Sequence, residues 1–299
     1  MSPALKTHLP VALIFSCFLL FPFGRSVELP VLIMTVSGIV LAWRQRHALA
    51  QMPAVRLFSL LALCIWIPML LSYPDTYSVK KTGGTILVFF RLYFTGLFVI
   101  WTLQDAQRVK WLVRLLAGLA AFWIGDALFQ AVVGHDLLGY ARIPSRLNGV
   151  FGETDWSLGV ALPVLVPFLL LALRNKPWLM AGAFVVSTIV VLMAGSRGGW
   201  VSYAVVCGVM LISEIRRCSI PLWKVGVAGL LVSMLGLIAV LKNPEAVRLD
   251  QTLLLFSGDE ASIDAALSNR WTLWKVSARM IEAHPVNGVG IRAFRFAYP

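Results

Sequence analysis

Trp178–Ala194 reads WLMAGAFVVSTIVVLMA, an unbroken apolar run. After Gly195-Ser196-Arg197-Gly198-Gly199 a second run opens at Trp200 and continues to Ile212. A helix needs about 20 apolar residues to cross the hydrocarbon core of a bilayer. An arginine set between two such runs costs about 3 kcal/mol on insertion scales, so it is expected to have a partner or a ligand. Arg270 follows in a more polar stretch that ends His284-Pro285-Val286-Asn287-Gly288-Val289-Gly290. Two arginines at one membrane face suggest a site for an anionic lipid headgroup.

Outward from this stretch the same pattern repeats. Nine runs are read as spans: about Pro10–Phe23, Leu29–Trp43, Leu57–Tyr73, Thr85–Leu103, Trp111–Val133, Ser157–Leu173, Trp178–Ala194, Trp200–Ile212 and Leu222–Leu241. Hydrophobic residues make up 59% of the chain and charged ones 13%. Mean hydropathy is +0.82, far above that of a soluble domain. The first run resembles a signal-peptide core. However, Phe21-Pro22-Phe23-Gly24-Arg25 offers no small-residue cleavage site, and the run is read as a retained helix. The expected fold class is all-α, a polytopic transmembrane helical bundle with a partly helical outer-face loop. Residues 1–241 form the transmembrane domain and residues 242–299 the loop.

The net charge of +12 follows topology. With a cytoplasmic N-terminus, the inner segments carry Lys6, Arg44, Arg46, Arg56, Arg108, Lys110, Arg114, Arg174, Lys176, Arg216, Arg217 and Lys224. The short outer segments carry Arg25, Lys80, Lys81, Arg142, Arg146 and Arg197. That is twelve against six, in the sense of the positive-inside rule. The basic residues are spread over five inner loops instead of forming a stripe, which argues against nucleic acid as a partner. This orientation places Arg197 and everything after Leu241 on the outer face, periplasmic in a Gram-negative cell.

Cys17, Cys64 and Cys207 lie within spans and Cys218 in an inner turn, so they read as small apolar packers. His8, His47, His135 and His284 form no metal-ligand spacing, and no metal is expected. The outer loop Gly134–Trp156 contains glycine turns and polar groups that must meet water or line a cavity. Trp156, Trp178 and Trp200 fit anchoring at the membrane interface.

Beyond the last span, Ser268 to Ala283 reads as a helix with Ser268 as N-cap and Pro285 just past its end. Trp271, Trp274, Ala278 and Ile281 recur at spacings of three and four as an apolar face, with Lys275, Arg279 and Glu282 largely elsewhere. Such a helix lies on the bilayer or covers the mouth of a cavity. Arg270, in its first turn, then either points back toward Arg197 or is a solvated charge.

Two further charges fall inside spans, Arg91 and Asp126. Each lies about seven residues from an outer end, roughly 10 Å deep at 1.5 Å per residue. An Arg91–Asp126 ion pair is one expectation. In the other, Arg91 lines the headgroup cavity. Lys80 and Lys81 either assist with an anionic glycan or are solvated.

Arg146-Leu147-Asn148-Gly149-Val150-Phe151-Gly152 before an apolar span resembles a signature of the O-antigen ligase and polymerase superfamily of bacterial membrane glycosyltransferases. Ser196-Arg197-Gly198-Gly199-Trp200, opening a span, looks like its second. Asn269-Arg270-Trp271, followed by His284 to Gly290 and Phe294, looks like its third. In combination they are fairly specific, and they cover about Arg146 to Pro299.

The resemblance implies an enzyme of lipopolysaccharide biosynthesis type in the inner membrane. It would transfer a glycan from undecaprenyl diphosphate to a hydroxyl acceptor: lipid A–core, another glycan or a protein. The resemblance also implies that no metal or nucleotide is used and that Arg197 and Arg270 bind the donor diphosphate. The general base in the family is a histidine in a His-Asn-type motif. This chain has no such motif, and it ends at Phe294-Arg295-Phe296-Ala297-Tyr298-Pro299 inside the loop, where family members continue through about three more spans. A truncated product is therefore expected, with His284 as the remaining candidate base ahead of Glu153 and Asp155. The rival classes are a flippase for the same lipid and a non-catalytic scaffold of a polysaccharide assembly complex. A flippase would carry charges through several spans, whereas here they gather at one face.

Overall fold

The computed structural model describes residues 3–143, 146–152, 158–218, 259–267 and 270–298. The regular elements among them are helical, and extended pairing is limited to the isolated bridges His135–Ala141 and Ile143–Arg146. In chain order these are α1 (Pro3–Leu19), a 3-10 turn (Phe21–Val27), α2 (Glu28–Arg44), α3 (Arg46–Gln51), α4 (Pro53–Leu71), α5 (Val79–Thr102) and α6 (Ala106–Val133). A short 3-10 turn (Gly149–Phe151) precedes α7 (Leu158–Ala172), α8 (Pro177–Met193) and α9 (Arg197–Cys218). The last are α10 (Glu260–Ala266), α11 (Arg270–Ala283) and α12 (Phe294–Ala297).

Among the described residues, five helical stretches are long and apolar enough to cross a membrane: Phe21–Arg44, Pro53–Leu71, Val79–Thr102, Ala106–Val133 and Arg197–Arg217. His8–Leu19, Leu158–Ala172 and Pro177–Met193 are apolar but shorter. The expected count of about nine is not reached among the described residues, where five stretches are of membrane length and three are shorter. The expected span Leu222–Leu241 lies outside the described residues. Pro53 and Pro177 open α4 and α8, where a missing N–H costs nothing. Pro163 and Pro167 sit inside the 15-residue α7. There the freed backbone carbonyls must be met by neighbours.

The chain divides into two compact units, Met1–Val27 with Gln107–Leu249, and Glu28–Ala106 with Asp250–Pro299. In the first unit α6 is the core helix: 50% of its most apolar window is buried, and Leu116, Ala120, Trp123 and Ala127 are almost wholly enclosed. Leu158, Leu162 and Val166 of α7 and Val190 and Val191 of α8 are also fully buried. The Tyr203 hydroxyl of α9 lies 2.9 Å from both Ser187 Oγ and Thr188 Oγ1, joining α9 to α8.

In the second unit α2 and α5 make the closest pair. A Cβ at Gly38 would overlap the Phe94 carbonyl, so only glycine lets these backbones approach so near. Thr35 and Thr95 hydroxyls meet 3.0 Å apart along the same seam. Only 11% of the apolar windows of α4 and α5 is buried, and they present Leu60, Leu63, Leu70 and Leu87 outward. Such faces suit lipid, which solvates leucine as well as a protein core does.

Candidate functional site

The Arg197 turn is built from its neighbours. Gly195 takes φ +66°, a left-handed conformation that ends α8 at little cost. Ser196 Oγ then accepts the Gly199 N–H at 3.2 Å, an N-cap for α9. Arg197 is accordingly the first residue of α9, which begins three residues earlier than the expected Trp200 and runs on to Cys218. A Cβ at Gly199 would overlap the Gly159 carbonyl of α7, whereas Gly198 faces open space. One glycine of the pair is required for packing. Trp200 Nε1 donates to the Val191 carbonyl at 3.1 Å, tying the new helix to the end of α8. The Arg197 side chain stays exposed at the positive end of the α9 dipole.

The Arg146–Gly152 segment belongs to the same unit and is pinned from α6. Gln130 is fully buried, and its Oε1 accepts the N–H groups of Asn148 (3.1 Å) and Gly149 (2.9 Å). Leu147 is also fully buried, and its N–H donates to the Met193 carbonyl at 3.1 Å. That carbonyl is on the last residue of α8, four residues before Arg197, so the Arg146–Gly152 segment is tied to the helix end just ahead of the Arg197 turn. Asp136 caps the preceding loop by accepting the N–H groups of Leu138 (3.0 Å) and Tyr140 (2.6 Å). Glu153, Asp155 and Trp156 lie outside the described residues.

Arg91 and Asp126, for which a mutual ion pair was one expectation, fall in different units, and each has a partner within its own. Arg91 Nη1 lies 2.6 Å from Glu28 Oε2, the first residue of α2. Helical side chains lean toward the N-terminus, which brings Arg91 up to that acid. Asp126 Oδ1 accepts the Leu137 N–H at 2.9 Å, and its Oδ2 faces Gly149. Asp126 therefore serves the loop architecture, and Arg91 has a carboxylate beside it that competes with any phosphate.

Arg270 and His284 belong to the second unit. Ser268 and Asn269, the expected cap and its neighbour, lie outside the described residues. Another residue does the capping. Asp264 of α10 accepts the Thr272 N–H at 3.1 Å through Oδ1, and the Thr272 hydroxyl through Oδ2. These bonds hold the Asp264 carboxyl below the usual carboxylate range. Lys275 pairs with Glu260 at 2.5 Å and lies over the Trp271 ring, 5.5 Å from its centre. The result is a tight helical elbow with Arg270 exposed near its apex. The expected apolar face of α11 is turned outward: Trp274 and Ile281 are 55% and 66% exposed, and none of the helix is buried.

His284 stands at the other end of α11. The intervening 14-residue helix is about 20 Å long. His284 and Arg270 are thus separated by the full length of α11. Its surroundings are architectural. The segment that follows it docks on the α4–α5 connector: Val289 O accepts the Tyr77 N–H at 3.3 Å, and Asn287 bonds Asp75. A relay also runs from the Ser78 N–H to Thr76 Oγ1 (3.2 Å), from Thr76 to Thr82 Oγ1 (2.7 Å), and from Thr82 to the Ile291 carbonyl (3.1 Å). Gly290 has φ +92°, and a Cβ there would overlap Thr76. The His284 ring meets Tyr77 edge-on at 6.0 Å and forms part of the wall of an open groove of about 400 Å³ that Pro68, Met69 and Val286 also line.

Gln130, Thr82 and Asp264 carry much of this arrangement and were not singled out from sequence. A lone amide in the fifth run and an uncharged threonine at the mouth of the fourth were the only available signals.

Residues 182–299, which include Arg197, Arg270 and His284, match the family described as O-Antigen ligase. No curated protein and no solved structure matches the chain.

Proposed function

We propose, from the match of residues 182–299 to the family described as O-Antigen ligase, that this chain transfers a glycan from a polyprenyl diphosphate to a hydroxyl acceptor at the outer face of the membrane. Membrane glycan processing of the ligase or polymerase type is what the family and the apolar helices support together. Donor, acceptor and orientation go beyond that and are part of the proposal. In this reading the N-terminus is cytoplasmic, as the loop charges favour, and the site opens to the periplasm.

The observation that carries the reading is the Arg197 turn: an exposed guanidinium held at the start of a membrane-length helix by a capped and glycine-packed turn. A guanidinium fork pairs bidentately with phosphate oxygens, and near lipid it meets less competition from water. Arg197 and Arg270 are assigned the diphosphate. The acceptor hydroxyl oxygen attacks the anomeric carbon, and the carbon–oxygen bond to diphosphate breaks with its electron pair leaving on the diphosphate. A general base takes the hydroxyl proton. The arginines stabilise the charge that builds on the leaving group. Arg91, paired with Glu28, and His284, a helix length from Arg270, are left outside this centre.

The test is glycan transfer by the protein reconstituted with a defined lipid-linked glycan. Arg197→Ala is expected to lower transfer about 100-fold or more, the scale of losing one pre-organised donor, with membrane abundance unchanged. Transfer within twofold of the unaltered chain would remove Arg197 from the site. Glycan moved to the opposite leaflet without appearing on an acceptor would favour the flippase.

A further inference from the structure

We propose that Asp264 is a positioning residue for Arg270: it caps α11 from outside and thereby holds the guanidinium at the apex of the α10–α11 elbow. This rests on the reading of Arg270 as a diphosphate ligand. The first N–H groups of a helix have no partner within it and together form its positive end, where an anion is favoured. In α11 a carboxylate of the preceding helix fills that role, taking the Thr272 N–H (3.1 Å) and the Thr272 hydroxyl at once. Arg270 lies two residues before Thr272, and its own N–H donates to the Leu267 carbonyl at 3.3 Å. Its backbone is therefore set by the elbow on both sides.

Three consequences follow from the chemistry. The Thr272 amide is already committed to Asp264, so the guanidinium is the group this end of α11 offers to a phosphate. Asp264 and Glu260 place negative charge along α10, and the Glu260–Lys275 pair neutralises the farther of the two. The nearer, Asp264, is committed by two hydrogen bonds to Thr272, which draws its oxygens toward the helix end. Finally, α11 has no buried residue to fix its position, so the elbow contacts take on the orienting work that a hydrophobic face does in most helices.

The experiment uses the full chain in nanodiscs, with undecaprenyl diphosphate as probe and tryptophan fluorescence as readout. Arg270→Ala is expected to weaken binding about 30-fold and Asp264→Ala about fivefold. Asp264→Asn, which keeps an oxygen for the Thr272 N–H, should recover most of the loss. In an Arg270→Ala background, Asp264→Ala should add less than a factor of two, because a residue that acts through Arg270 has nothing left to position. Amide exchange at Thr272 should rise in Asp264→Ala and not in Asp264→Asn. Unchanged or tighter binding in Asp264→Ala, with Arg270→Ala still weak, overturns the positioning role while leaving Arg270 in place. Unchanged binding in Arg270→Ala removes the diphosphate reading of Arg270, and the positioning role with it. Should Asp264→Ala fail to accumulate, Thr272→Val, which removes the hydroxyl bond to the carboxylate, takes its place: weaker binding with faster exchange at position 272 supports the role, and both unchanged overturn it.

Discussion

Arg197 and Arg270 each begin a helix, and the two helices hold their arginines by different physics. Arg197 opens a 22-residue helix whose first turn is capped by Ser196 and pressed, through Gly199, onto the Gly159 carbonyl. Close behind it, Leu147 and Gln130 are fully buried and their hydrogen bonds are made inside the unit. Arg270 opens a 14-residue helix without a buried residue, held by exposed carboxylates. Buried hydrogen bonds are expensive to break because the abandoned partner stays dry, while exposed ones are replaced by water. The first region is therefore built to be rigid, and the second to be held in one pose by contacts that are individually weak.

The largest test of that contrast is Gln130→Ala. It strips the acceptor from two buried N–H groups, each worth about 1–3 kcal/mol, so a loss of about 2–6 kcal/mol is expected. A fall in midpoint of thermal unfolding in detergent reads it out. A shift under 1 kcal/mol would mean that this region tolerates an unpaired interior as well as the elbow does.

Thr82→Val probes the second unit at its best-buried polar contact, the bond to the Ile291 carbonyl. Valine keeps the shape and removes one relay donor, so about 1 kcal/mol is expected, with a matching rise in proteolysis near residues 284–291. An effect as large as that of Gln130→Ala would erase the distinction between the regions.

The smallest effect is acid opening of the elbow. Asp264 has a folded pKa below its ordinary value, first through the Thr272 hydroxyl. Its contribution is thus complete above the ordinary aspartate range and is lost as pH falls through the folded value. Amide protection at Thr272 should hold from neutral pH to about pH 4 and fall below it. Loss of protection already near pH 6 would show that another group controls the elbow.

The helical, membrane-spanning character of the chain was readable from run length and composition, because both are local. The start of α9 was off by only three residues, because the apolar run opens just inside the first turn that Ser196 caps. What sequence hid is what depends on distant partners. A pairing of Arg91 with Asp126 was one expectation because both lie at similar depth in successive spans. In fact Glu28, at the head of another helix, answers Arg91, while a loop amide answers Asp126. His284 was attractive as the histidine among glycines, yet α11 sets it about 20 Å from Arg270, a separation visible only once the helix is drawn to scale. Asp264 sits in an ordinary-looking acidic stretch, and its importance comes from where α10 turns.

The relay from Thr76 through Thr82 to Ile291 has a consequence in time. Thr82 is made 209 residues before its acceptor. At about 5–20 residues per second of synthesis, Ile291 leaves the ribosome about 10–40 s later. Throughout that interval the connector displays a finished docking surface, already shaped to admit Gly290 and nothing larger, with its guest not yet translated. The second unit thus closes only once Ile291 has been made, and until then the nascent chain carries an open hydroxyl pair at the mouth of α5.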